Sequence, residues 1–129
     1  MKAERDSFPV VRMIIDTNIF IDIFRGNAGT LDYIDNLNEN IPTTIINEYE
    51  LLKGNDKIKN IFASIPVYNF GDNEAREAVE IYRYLKNKGI LINELDMIIA
   101  AIAKANNQKI LTKDKDFVHF HGMIEIIIL

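Results

Sequence analysis

At 129 residues, with 48% hydrophobic and 26% charged residues and a net charge of -4, the chain has the ordinary globular balance and room for one core of its own. That balance argues against a disordered or fibrous chain, and the absence of cysteine excludes disulfides and thiolate metal sites, so any metal must be held by oxygen or imidazole. The acidic surface disfavours nucleic-acid binding by the whole molecule while leaving room for a local basic patch, and no apolar run approaches the roughly 18 residues of a membrane helix, so the chain is expected to be soluble and cytoplasmic.

A single domain over residues 1–129 is expected, with 1–12 as an N-terminal extension whose polar start ends in Pro9. Val10 to Ile15 is a nearly continuous apolar run rich in β-branched residues, the mark of a strand buried on both faces of a parallel sheet. A helix is predicted from about Asn18 to Phe24, with Thr17 as its cap. Leu31, Ile34 and Leu37 fall at helical spacing, and Ile41 to Thr44 reads as a short second strand. Ile45, Ile46, Tyr49 and Leu52 then share the expected apolar face of a helix closed by Gly54. A short helix over about Asp56 to Ala63 and a third strand over Ile65 to Phe70 follow. Ala75, Ala78, Val79, Tyr82 and Leu85 mark the clearest helix, with Glu77, Glu80, Arg83 and Lys86 facing away. Asn93 can cap a helix carrying Leu95, Ile98, Ile99, Ile102 and Ala103, and strands at Lys109 to Leu111 and in the final "MIEIIIL" complete the chain. Strands separated by helices imply right-handed crossovers, a parallel sheet and helices on both faces, an α/β fold of three layers.

Sites in such sheets form outside the carboxyl ends of the strands. That rule singles out Asp16 after the first strand, Glu48 in the helix after the second, Asp96 at the start of the helix before the fourth, and Asp114 with Asp116 after the fourth. Each acid has an ordinary role when taken alone. Asp16 can cap a helix, Glu48 can favour a helix dipole, Asp96 can close a capping box behind Asn93, and Asp114 and Asp116 can be solvated loop charges interleaved with Lys113 and Lys115. Glu50 can reach Lys53 one turn on, whereas Glu48 has no basic residue there. Together, however, acids from four places converge on one end of one sheet. Close carboxylates raise one another's pKa unless a cation lies between them, and all-oxygen ligation selects Mg²⁺ or Mn²⁺. The chemistry this suggests is phosphodiester cleavage by a metal-activated water.

The segments "MIIDTNIFIDIFRG", "TTIINEYELLKG" and "ELDMIIAAIAKANNQKILTKDKDF", in this order and spacing, resemble the PIN domains and within them the compact VapC-type toxins. The resemblance covers nearly the whole chain. It implies a three-layer α/β/α sandwich with a five-stranded parallel sheet in the order 3-2-1-4-5, and an Mg²⁺- or Mn²⁺-dependent endoribonuclease leaving 5′-phosphate and 3′-hydroxyl ends. It further implies the toxin of a type II toxin-antitoxin pair, a homodimer silenced by a cognate antitoxin protein. Residue by residue, Asp16, Glu48, Asp96 and Asp114 match the metal-holding acids, with Asp116 as the alternate fourth. Thr17, Asn18 and Thr112 match polar positions that orient ligands. Glu94, two positions before Asp96, can add charge to the cleft, although an ordinary helix-start acid is its preferred reading.

The roles of Met1 to Arg12 stay open between lengthening the first strand, contacting a partner and being a disordered extension. His119 and His121 alternate in "VHFHG" and could act as ligands, but a carboxylate site needs no imidazole. Arg25, Lys113 and Lys115 are candidates for contact with an RNA substrate, as is the cluster of Lys53, Lys57 and Lys59. Tyr82 and Tyr84 could stack bases, although Tyr82 belongs to the expected core stripe. Two further readings are a non-catalytic RNA- or protein-binding module on the same scaffold and a housekeeping RNA-processing nuclease. A phosphatase of the haloacid-dehalogenase type is disfavoured, because it needs a second Asp where Asn18 stands.

Overall fold

The computed structural model describes residues 12–37 and 41–129, so Val10 and Val11 of the expected first strand lie outside the described residues. Strand β1 (Met13–Ile15) leads into helices α1 (Thr17–Phe24) and α2 (Ala28–Leu37). Strand β2 (Thr43–Thr44) leads into α3 (Ile45–Gly54) and a 3₁₀ segment (Asp56–Ala63). Strand β3 (Val67–Tyr68) precedes α4 (Asp72–Asn87) and α5 (Glu94–Ala105), and β4 (Lys109–Thr112) precedes a second 3₁₀ segment (Lys115–Phe120) and β5 (Ile126–Ile128). Among the described residues, no helix is long and apolar enough to cross a membrane.

Strand pairing is parallel throughout, β1 with β4, β4 with β5, and β2 with β3. Successive strand residues point to opposite faces. Met13, Ile15 and Leu111 accordingly join one apolar cluster with Ile19, Phe20 and Leu51, while Ile14 and Ile110 join another with Ile81, Leu85, Ile99, Ile102, Phe117 and Phe120. One cluster on each face, each closed by helices, gives the layered α/β architecture that the unbroken apolar strand predicts.

The single five-stranded sheet expected from the resemblance appears as two, β1-β4-β5 and β2-β3. What spans the gap is an N–H bond from Ile15 to Pro42 O at 2.9 Å and a bond from the Thr43 hydroxyl to Ile15 O at 2.8 Å. Pro42 has no N–H to give a ladder, and the Thr43 side chain takes the carbonyl that a neighbouring strand would use.

Two helices are rotated from the expected faces. In α3 the buried residues are Asn47 and Leu51, and Tyr49 is 53% exposed. Thr44, the residue that ends β2, accepts from the N–H groups of Ile46 and Asn47 and donates its own hydroxyl to Asn47 Oδ1, so a polar side chain is drawn inward. In α4 the buried stripe is Ala78, Ile81 and Leu85, which packs along α5, while Val79 and Tyr82 face out. Helix α5 ends with Asn107 in the left-handed region (φ 55°), and the bonds from Gln108 N to Ala103 O and from Asn107 N to Lys104 O turn the chain directly into β4.

Candidate active site

The register of the sheet brings the first two site groups together. Ile15 stands opposite Leu111, and the Asp16 N–H donates to Leu111 O at 3.0 Å, which sets Asp16 level with Thr112 at the carboxyl ends of β1 and β4. Asp16 is buried and serves as the N-cap of α1, the role expected of Thr17. Its Oδ1 accepts from Thr17 N at 2.8 Å and from Asn47 Nδ2 at 2.9 Å, and its Oδ2 accepts from the Thr112 hydroxyl at 2.7 Å. Burial raises the Asp16 pKa, the bonds from Thr112, Thr17 and Asn47 oppose that rise, and the charge of Glu50 adds to it.

Glu50 is the acid that α3 presents to this site. Its Oε1 accepts the Thr17 hydroxyl at 2.7 Å. Glu48, the residue expected here, lies two positions away, a rotation of about 200° on an α-helix, so the two side chains cannot share one face. The anticipated partner of Glu50 is engaged elsewhere, since Lys53 Nζ lies 5.0 Å from the centre of the Tyr49 ring. The rotation of α3 about Asn47 is thus the physical reason that Glu50, and not Glu48, meets Thr17.

Asp96 sits in the first turn of α5, whose cap is Asn93, with Asn93 Oδ1 accepting from Leu95 N at 2.9 Å. Its pKa is raised to about 7 by burial first, and then by the charges of Asp16, Asp114, Glu50 and Asp116 in that order. Asp114 follows β4 and caps the second 3₁₀ segment, its Oδ1 accepting from Asp116 N at 2.9 Å. Its own N–H donates to the Thr112 hydroxyl at 3.0 Å, and the buried, edge-to-face pair Phe117 and Phe120 anchors the loop beyond it.

A family model described as the PIN domain matches residues 13–122. The chain belongs to the PIN-domain family. It is 38% identical over 91 residues to Ribonuclease VapC3 of Methanocaldococcus jannaschii, a match covering 69% of this chain and 95% of that protein. Among solved structures, VapBC2 from Rickettsia felis bound to a DNA fragment from its promoter superimposes with a TM-score of 0.80 at 19% identity, over 91% of this chain and 98% of the other. A toxin-antitoxin complex from Klebsiella pneumoniae superimposes with a TM-score of 0.72 at 21% identity, over 89% of this chain and 95% of the other. At those identities the superpositions establish the fold.

Two observations bear on whether this PIN domain's acids suit a divalent cation. Among the described residues, no three His, Cys, Asp or Glu side chains are arranged to enclose an ion by themselves. Mg²⁺ does not require such a cage, because it keeps several waters and takes one or two carboxylates together with substrate phosphate. The carboxylates that raise Asp96 are an all-oxygen set of one sign, and a cation among them relieves that repulsion. The donor set therefore fits a hydrated hard cation.

The remaining candidates divide clearly. Asn18 joins the site from both ends, its Nδ2 donating to Thr112 Oγ1 at 3.3 Å and its Oδ1 accepting from Lys113 N at 3.0 Å. Lys113 Nζ is paired with Asp22 Oδ2 at 2.8 Å, and Asp22 also accepts the Thr30 hydroxyl at 2.7 Å. The Lys113 bond chiefly holds the Asp22 pKa below its ordinary value, with Thr30 and the charge of Arg25 adding to it. Arg25, Lys115, His119 and His121 are exposed. Tyr82 is 50% exposed, with Lys86 Nζ 5.7 Å from its ring centre, so it leaves the core in which sequence reasoning put it. Glu50, Asn47 and Asp22 escaped the sequence reading. For the first two, the available signal was "TTIIN", where a cap two and three residues before Ile46 and Asn47 fixes the helix rotation.

Proposed function

We propose that this PIN domain is an Mg²⁺- or Mn²⁺-dependent endoribonuclease that hydrolyses RNA phosphodiester bonds, and that it is the toxin of a type II toxin-antitoxin pair. One observation carries the reading: acids from three separate segments, Asp16, Glu50 and the Asp114–Asp116 loop, gather around the half-buried Asp96, whose pKa burial first and then their charges raise to about 7. Evolution of a stable fold gives no reason to place so many like charges at one sheet end unless a ligand of opposite charge belongs there. The name of the VapC3 relative, a ribonuclease, agrees with the reading.

Asp16, Glu50, Asp96 and Asp114 are proposed to hold a hydrated cation, one or two of them directly and the others through its waters, with Glu50 in place of Glu48 and Asp114 preferred to Asp116 because it acts more strongly on Asp96. The cation, when bound, supplies an activated water and neutralises charge at the leaving oxygen. The protein's own contribution is orientation. Thr112 and Thr17 hold Asp16 and Glu50, Asn18 ties α1 to the loop carrying Asp114, and one of the acids accepts the proton of the attacking water. Lys113, braced by Asp22 beside Asp114, is proposed to meet RNA phosphate, with Arg25 and Lys115 on the same rim. The two sheets are read as one in the order 3-2-1-4-5, joined by the bond from Ile15 to Pro42. A homodimer silenced by an antitoxin protein over the cleft completes the proposal.

The test is incubation of the purified protein with total RNA in Mg²⁺, in Mn²⁺ and in EDTA, alongside Asp16→Asn and Asp96→Asn. Cleavage that needs the cation and disappears in both folded variants is the expected result. Full activity in EDTA, or in either variant, would overturn the site. Cation binding without any cleavage would favour the non-catalytic binding module instead.

A further inference from the structure

Asn47 has no assigned role, yet it is fully buried between the two strands' ends and touches both halves of the acid site. Its Nδ2 donates one hydrogen to Asp16 Oδ1 and the other to Thr17 Oγ1, both at 2.9 Å. Its Oδ1 accepts the Thr44 hydroxyl at 2.7 Å. The amide has one orientation only. Thr44 Oγ1 already accepts from the N–H groups of Ile46 and Asn47, so its own proton is directed at Asn47 Oδ1. Turning the amide over would set an oxygen against the Asp16 carboxylate and an NH₂ against the Thr44 proton.

Two consequences follow for the acids. Asp16 has four lone-pair sites, and three are taken by Thr17 N, Asn47 Nδ2 and the Thr112 hydroxyl, which leaves one, on Oδ2. Because Thr17 Oγ1 receives a hydrogen from Asn47, its own proton is directed to Glu50 Oε1, and Glu50 stands one turn beyond Asn47 on α3. A single side chain thus orders one carboxylate at the start of α1 and another on α3. We infer that Asn47 is a positioning residue of the acid site, whose amide holds Asp16 with one free oxygen lone pair and fixes Glu50 through Thr17. The inference rests on the nuclease reading of that site.

A merely structural role for a buried, satisfied amide predicts a loss of stability and nothing else, so the test compares two variants of α3. Asn47→Leu keeps the branching at Cγ and removes both donors. Leu51→Ala removes buried apolar volume four residues on, from a side chain that packs in the apolar cluster with Met13, Ile15, Ile19 and Phe20. Mn²⁺ affinity is measured by calorimetry, and the kcat and KM for RNA are measured at a temperature where both variants are folded by circular dichroism. Asn47→Leu is expected to weaken Mn²⁺ binding by about 10- to 100-fold and to lower kcat with KM nearly unchanged, as removal of a ligand-orienting partner does. Leu51→Ala is expected to melt at a lower temperature and to bind Mn²⁺ within about twofold of the parent, in line with loss of packing alone. Asn47→Ser, whose one hydroxyl cannot reach Asp16 and Thr17 together, serves if Asn47→Leu does not fold and is read in the same way. Unchanged Mn²⁺ affinity in the Asn47 variant, or an equal loss in Leu51→Ala, overturns the inference while leaving the nuclease reading intact. A parent protein that binds no Mn²⁺ overturns both.

Discussion

Thr112 donates its hydroxyl to Asp16 Oδ2 at 2.7 Å, joining residues 96 positions apart at the ends of two neighbouring strands. The bond exists because Ile15 and Leu111 are register partners, so any slip of β4 against β1 would break it. It also shows that Asp16 carries two duties, capping α1 through Oδ1 and facing its neighbours through Oδ2.

Thr112→Val keeps the shape of this strand end and removes the donor. A hydrogen bond to a charged group contributes about 1.5–3 kcal/mol, and a buried acceptor left short of a partner resists ionisation. The variant is expected to lose stability of about that size at pH 8 in thermal melts, and to bind Mn²⁺ at least about tenfold more weakly. A melt and a calorimetric titration matching the parent would show that Thr112 does no orienting.

Glu50→Gln and Glu48→Gln separate the two candidates on α3. Loss of Glu50 is expected to lower RNA cleavage and Mn²⁺ affinity by about 10- to 100-fold. Glu48→Gln, on another face of the helix, is expected to stay within about ±0.5 kcal/mol of the parent in stability and near it in activity. The reverse pattern would mean that α3 is rotated in solution from the orientation set by Thr44 and Asn47.

Asp96 gives the cation-free protein a distinct pH dependence. With its pKa raised from 3.8 to about 7, Asp96 binds a proton more tightly folded than unfolded across that interval. Stability therefore falls as pH rises through the window, since unfolding releases rather than takes up a proton there. Melting temperature in EDTA should decline from pH 5 to pH 8, the decline should vanish in Asp96→Asn, and Mn²⁺ should oppose it while displacing protons into the buffer. A parent that melts at a constant temperature over this range would show that Asp96 is not subject to the burial and repulsion described.

Asp114 and Asp116 are distinguished by their settings. Asp114→Asn is expected to abolish most Mn²⁺-dependent cleavage, whereas Asp116→Asn, an exposed residue whose main-chain N–H rather than its carboxylate holds Asp114, should retain activity within a few-fold. RNA cleavage assays on the two variants decide between them, and equal losses would make the loop a shared ligand.

How much was legible before the structure depended on whether a feature is local. Met13 to Ile15 announces a doubly buried strand, and Asp16 and Asp96 announce themselves by following or preceding elements whose ends are marked in the chain. Helix α3 was not legible in the same way. Its apolar residues can be drawn as a face through Ile46 and Tyr49 or as one through Asn47 and Leu51, and hydrophobic periodicity favours the first because it counts Asn47 as polar and outward. The inward turn of Asn47 is stabilised by partners on Asp16, Thr17 and Thr44, the first two contributed by the start of α1. In α4, likewise, Ile81 displaces Tyr82 from the core because α5 packs against that side.

The amino-acid sequence by itself determined the α/β class, the order of most elements and the family resemblance, and it set Asp16, Asp96 and Asp114 beside the ends of elements, since each depends on composition, periodicity or position along the chain. The tertiary structure alone decided that Glu50 and not Glu48 faces Asp16, that Asn47 lies inside the site and that Lys113 is braced by Asp22. These depend on how far one helix is rotated and which strand residues stand in register, and a rotation or register is set by partners far away in the chain, whose positions no local pattern records.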